Sequence, residues 1–250
     1  MIHTVLLKTI PVRVAASLLT LIVAMFVSAC TTTGSTTAPQ AKPIDTAAKV
    51  EKIVAVIEAQ MAAPAEKRIA AALLSNAQCI VVIPEMIQGG VGVGLKHGSG
   101  IMSCRHNDGN TWGVPAFVRL SGASIGTQLG IQKVDVMMLA MTDNGLNQLL
   151  AAKPIASGDA GVTIGPIGRN AEIALDVLLQ TPLLSYTRST GMYAGATLGG
   201  SVFTIARKTN TGVYGQFDDA RQLLLERTEV PVEVQPLVDL LNRYAPTEEQ

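Results

Sequence analysis

Net charge is the first thing this chain lacks: 19 Lys and Arg residues balance 19 Asp and Glu. A surface so balanced has no electrostatic footprint for nucleic acid. The apolar run at 14–27 is too short to be a spanning helix, which needs roughly 20 such residues. Cysteine occurs three times, at positions 30, 79 and 104. With His97 and His106, Cys79 and Cys104 match none of the paired spacings of a zinc site, and no metal or other cofactor is expected. The glycine-rich stretch GGVGVGLKHGSG (89–100) contains no G-x-G-x-x-G, and no Lys-Ser or Lys-Thr follows its last glycine. That excludes a nucleotide cradle. GASIG (122–126) matches the nucleophile elbow of serine hydrolases, but no histidine lies downstream of Ser124 to serve it.

What is present begins with a leader. Lys8 and Arg13 precede the apolar run and small residues follow it, the order of a secretory signal. Its end, Val27-Ser28-Ala29 before Cys30, resembles the bacterial lipobox, in which the cysteine thiol is diacylated and becomes the new N-terminus. Residues 1–29 are therefore expected to be removed and Cys30 to carry lipid, anchoring the chain without a spanning segment. Thr31 stands where a retention signal would have Asp, so the resemblance implies the outer membrane, facing the periplasm. Removal would leave 17 basic against 19 acidic residues, a charge of −2. Residues 31–43 are polar and aperiodic, a tether with a root-mean-square reach of about 20 Å. One domain, 44–250, remains.

Within that domain Asp45 caps a helix over 45–61, with Val50, Ile53, Val54, Ile57 and Met61 at helical spacing. A second helix opens at Pro64 and runs through AEKRIAAALLSNA (65–77). From residue 79 the period becomes two, and CIVVIP reads as a strand ended by Pro84. Gly90, Gly92 and Gly94 then alternate with Val91, Val93 and Leu95. GASIGTQLGI (122–131) and GMYAGATLGGSV (191–202) repeat the design. Glycine weakens a strand, so its recurrence on one face points to strong curvature or the close approach of another backbone. The expected fold is α+β: a curved antiparallel sheet, barrel-like or nearly closed, with helices against it. HGSG (97–100) and NDGN (107–110) read as hairpin turns. Further helices are expected at 143–151, 170–180, 218–226 and 232–244.

Five positions invite a chemical reading. Cys79 and Cys104 lie in neighbouring expected strands and are either disulfide-bonded or two small buried thiols. Asp135 interrupts the apolar strand VDVMMLAM and must find a partner or face water. Arg169, in GPIGRN (165–170), stands at the start of an expected helix, where an anion such as a phosphate is stabilised. The alternative is that it holds a carboxylate such as Asp135 or Asp159. Arg188, in SYTRSTG, has the same two readings.

Taken in order, AQCIVVIP (77–84), GGVGVG with GSGIMSCR (89–105), WGVPAF (112–117), GTQLG (126–130), GPIGR (165–169), SYTRSTGMYAG (185–195) and YG (214–215) resemble the SYLF domain. That lipid-binding family includes yeast actin-patch proteins and many bacterial lipoproteins. Gly113 stands where the family usually has Ser, and Thr187 where Ser is common. The resemblance implies phosphoinositide or phospholipid headgroup binding without catalysis. It also draws attention to Lys49 and Lys52 on the first helix, because membrane binding in the family is attributed partly to a helix at the domain's start. Anionic lipid headgroups are the expected partner, with no nucleic acid. The alternatives are a structural envelope protein that binds other proteins, and a serine hydrolase acting through Ser124.

Overall fold

Asp45 opens helix α1 (Thr46–Met61): its Oδ1 accepts a hydrogen bond from the Ala48 amide at 3.1 Å. Val50, Ile53, Val56 and Ile57 form one face of α1 and are buried in the core. At 1.5–3 kcal/mol per buried aliphatic side chain, that face is worth about 6–12 kcal/mol, so α1 belongs to the domain's interior packing. The computed structural model describes residues 45–106, 109, 111–151, 154–155, 162–165, 174–189, 200–216 and 219–246. The helix expected from Pro64 is broken in two, a 3-10 turn at Ala65–Lys67 and α2 (Ala71–Asn76). Extended backbone at Arg68 separates them, and Ile69 beside it is fully buried.

Two very long strands follow, β1 (Cys79–Cys104) and β2 (Ala116–Ala140), paired antiparallel from Cys79↔Ala140 to Met102↔Ala116. Pro84 does not end β1. It sits in a register shift between Ile83 and Met86, where the ladder tolerates a residue without an N–H. HGSG is likewise no turn, because His97–Gly100 pair with Val118–Ser121 inside the ribbon. NDGN falls in the β1–β2 connection. Its Gly109, at φ +74°, donates to the His106 carbonyl at 2.8 Å, and the other three residues lie outside the described ones.

A straight strand of 26 residues would span about 85 Å. Here the two ends of β1 meet: the Cα atoms of Cys79 and Cys104 are 4.0 Å apart and a disulfide joins their side chains. The ribbon therefore folds back on itself. A second register shift, between Val91 and Val93, lies at the bend. Beyond it the two halves of β1 press together, so that a Cβ on Gly98 would lie 2.6 Å from Ile83 Cγ2, and one on Gly100 would run into the Val82 carbonyl oxygen. At Gly100 the close backbone approach comes from the same strand, Gly98 meets the side chains of Ile83 and Met86, and Gly122 of the second glycine-rich stretch meets the backbone of Ser201.

β2 is the hub. Its first part pairs with β6 (Ser201–Ile205) over Val118–Gly122, and its last part with β5 (Leu183–Ser189) over Val134–Ala140. Short β3 (Pro154–Ile155) extends the sheet beyond β6, and β4 (Val162–Ile164) extends it beyond β5. The fold is α+β with a curved sheet, and two details differ from expectation. Among the described residues the sheet does not close into a barrel, and the β4–β5 pair is parallel. The remaining described helices are α3 (Asp143–Leu150), α4 (Leu175–Leu179), α5 (Arg207–Tyr214), α6 (Ala220–Leu225) and α7 (Gln235–Tyr244). The third glycine-rich segment lies outside the described residues from 191 to 199.

Candidate functional site: a basic cluster at the root of the ribbon

The sequence singles out Cys30, Lys49, Lys52, Cys79, Cys104, Arg169 and Arg188. Cys30 and Arg169 lie outside the described residues. The other three cations fall in one neighbourhood, organised by a residue that sequence patterning misses. Glu85, at the bulge after Pro84, has φ +47°. Its carboxylate accepts from Lys52 Nζ at 2.6 Å and from Lys133 Nζ at 2.8 Å, joining α1 to the ribbon. Hydrogen bonds from Lys133 and then Lys52 push its pKa down to about 2. Its own amide donates to Asp135 Oδ1 at 2.9 Å, and Asp135 Oδ2 accepts from Arg188 Nη2 at 3.1 Å. Asp135 has found its partner, and Arg188 is held by a carboxylate.

One turn before Lys52, Lys49 lies over the Phe117 ring, 5.9 Å from its centroid. Its pKa is lowered, first by burial and then by the positive charge of Arg119. The two cations thus repel each other, a repulsion that an incoming anion would relieve. Among the described residues the neighbourhood holds five cations, Lys49, Lys52, Arg119, Lys133 and Arg188, and two carboxylates, Glu85 and Asp135. Arg119 and Lys133 carry a signal available to sequence reading: each occupies an outward position of a period-two strand.

The readings based on other chemistry fare differently. Ser124 lies inside continuous β2, with no strand-to-helix turn to make an elbow. The sulfurs of Cys79 and Cys104 are bonded to each other, and no cluster of three metal-ligating side chains occurs among the described residues. A cleft of about 410 Å³ is lined in part by Ser75, Arg105, His106, Asp143 and Arg221. Its arginines are engaged in holding the fold. Arg105 stacks on Trp112 and donates to the carbonyls of Ser75, Ala77 and Ala245, tying the C-terminal ends of α2 and α7 together. Arg221 donates to Asn147 Oδ1.

The motif WGVPAF also has a visible structural use. Trp112 Nε1 donates to the Ala245 carbonyl at 2.9 Å, and Tyr214 donates its hydroxyl to the Pro115 carbonyl. Asn210 accepts from the Phe117 amide at 2.7 Å and donates to its carbonyl at 2.9 Å. No helix among the described residues is long and apolar enough to cross a membrane.

Comparison with known proteins shows what the chain is similar to. The family model described as "Ysc84: Las17-binding protein actin regulator" matches residues 121–244. The chain is similar to the SH3 domain-containing protein PJ696.02 of Schizosaccharomyces pombe, with 30% identity over 71% of this chain and 42% of the relative. It is 28% identical to Protein YSC84 of Saccharomyces cerevisiae over 60% of this chain and 32% of the relative. The SH3 domain-containing YSC84-like protein 1 of Homo sapiens is 27% identical over 72% of this chain and 52% of the relative. The matches thus span between about a third and about half of these relatives.

Proposed function

From the premise that this chain carries a Ysc84-family (SYLF) domain, we propose that it is a lipid-anchored protein of the outer membrane whose domain binds anionic phospholipid headgroups. The domain faces the periplasm and binds without catalysing a reaction. The observation that carries this reading is the basic cluster: five cations against two carboxylates, gathered around α1 and the ribbon root of a chain with no net charge overall. Attraction to an anionic surface must come from such a local site. The leader and lipobox-like sequence before Cys30 support the anchor. A disulfide between Cys79 and Cys104 suits an oxidising compartment outside the cytoplasm.

The test is a vesicle panel with residues 44–250, a compact unit that contains the whole core and the disulfide. Binding should favour phosphatidylglycerol over phosphatidylcholine vesicles and weaken as salt rises. Lys49→Ala/Arg119→Ala should reduce it several-fold while thermal stability stays near wild type. A folded domain that ignores every anionic vesicle sinks the reading. A second reading then takes its place, an envelope protein that binds other proteins. It is favoured by the matched family's description as Las17-binding and by a relative named LAS seventeen-binding protein 3.

A further inference from the structure

At the bend of the folded ribbon the usual arrangement of a sheet in water is inverted. The inner face carries buried Gln88 and Lys96, whereas the outer face exposes Ile87, Val93, Leu95 and Ile131 at 50%, 56%, 66% and 83%. Antiparallel sheets with one wetted side turn their polar residues outward. Apolar residues outside and polar residues inside is the pattern of strands whose outer face meets hydrocarbon. Four large aliphatic side chains thus stand exposed on the outer face of one bend, and grouped exposed apolar side chains mark interaction surfaces.

The surroundings say what covers it. Ile87 pairs directly with Lys133, and Gly89 with Ile131, so Lys133 flanks the patch on one side. On the other side Leu95 pairs with Ala123, His97 with Ser121, and Ser99 with Arg119. Along a strand, Lys133 is about 7 Å from Ile131, and Arg119 is about 13 Å from Ala123. The headgroup layer of one leaflet is about 5–8 Å deep. Long basic side chains at those distances reach phosphates when the apolar bend sits at the acyl boundary. The face is convex, which suits a bilayer better than the groove of a folded partner. Two copies meeting tip to tip by two-fold symmetry would bring like-charged clusters together.

We propose that this bend is the membrane seat of the domain: Ile87, Val93, Leu95 and Ile131 enter the acyl boundary of an anionic bilayer while Arg119 and Lys133 hold its phosphates. The proposal rests on the lipid reading above and deepens it, giving the domain a second, apolar attachment independent of α1, whose own apolar face is in the core.

Trp112 is the chain's single tryptophan and is buried, which supplies an internal control. In residues 44–250 carrying Ile131→Trp, mixed phosphatidylglycerol and phosphatidylcholine vesicles with brominated acyl chains should quench the introduced indole and shift its emission to the blue. Wild-type Trp112 emission should stay unquenched. Leu95→Asp/Ile131→Asp should weaken partitioning by about tenfold or more, with the thermal midpoint unchanged because both side chains face solvent. If that pair lowers the midpoint, Leu95→Ser/Ile131→Ser repeats the measurement. Wild type and the substituted pair binding vesicles equally well would overturn the seat and leave the lipid reading standing. Wild type that binds no vesicle overturns both. Self-association that the pair abolishes, without vesicle binding, would make a second copy the occupant and overturn the proposal.

Discussion

A Cβ at Gly100 would strike the Val82 carbonyl oxygen and come within 2.8 Å of Ile83 Cα. Backbone cannot rotate aside as a side chain can, so Gly100→Ala should cost about 3 kcal/mol, the upper end of overpacking penalties. Gly212 is the contrast: it is exposed on α5, and a Cβ there would meet nothing within 4 Å. Gly212→Ala should stabilise by about 0.5–1 kcal/mol through helix propensity alone. Denaturant unfolding of the two variants checks both signs, and equal effects would deny the close approach. Gly113 is a related case, because a Cβ there would lie 2.5 Å from the Leu224 carbonyl oxygen. The serine usual in the family would therefore have to displace α6 in this chain. That some backbone presses on the glycine face is legible from the alternation of Gly with Val and Leu. Which backbone it is cannot be read there, because strand periodicity describes a face and is silent about a neighbour 15 to 18 residues earlier in the same strand.

The bulge at Pro84-Glu85 turns a local irregularity into a junction between elements. Glu85 bonds α1 through Lys52, β2 through Lys133 and, by its amide, Asp135, which holds β5 through Arg188. Its depressed pKa fixes the sign of the pH effect. The ion pairs contribute above the ordinary carboxylate value of 4.5, and the contribution is lost as pH falls through about 2. The side chain is 44% exposed, so water screens the pairs and leaves each of them weak. Glu85→Gln should therefore lower stability slightly above about pH 5, with the difference from wild type shrinking as pH approaches 2 and as salt rises. Thermal midpoints of both proteins across that range decide it, and a difference that grows on acidification would contradict the assignment. In the sequence Pro84 reads as a strand end because proline lacks a ladder donor, and a bulge meets that need as well as a terminus does. Helix α5 leaves no mark in the sequence pattern, for a physical reason: its buried residues are Thr209, Asn210 and Tyr214. Hydrophobic periodicity cannot reveal a helix whose inner face works by hydrogen bonding to Phe117 and Pro115. The helices with aliphatic inner faces, α1, α3 and α7, are legible to within a few residues.

At the scale of the whole chain two cysteine predictions separate attachment from folding. Cys30→Ser should leave an uncleaved precursor without fatty-acid label, and normal labelling of that variant would remove the proposed anchor. The Cys79–Cys104 bond acts on the domain instead. It closes a sequence separation of 25 residues, for which loop entropy amounts to about 3.5 kcal/mol. The two ends of β1 are also held by the ladder to β2, since Cys79 pairs with Ala140 and Met102 with Ala116. Cutting the bond should therefore lower stability without unmaking the ribbon. Cys79→Ser/Cys104→Ser, in residues 44–250, should keep native circular dichroism and lose about 2–4 kcal/mol of unfolding free energy. Reductant should bring wild type down to the level of the variant and leave the variant unmoved. Two titratable thiols in unreduced, denatured wild-type domain, with no effect of reductant on its unfolding, would show that the ends of β1 meet without a covalent bond. The fold-back would then rest on the glycine contacts alone, and Gly100→Ala would become the more damaging of the two changes.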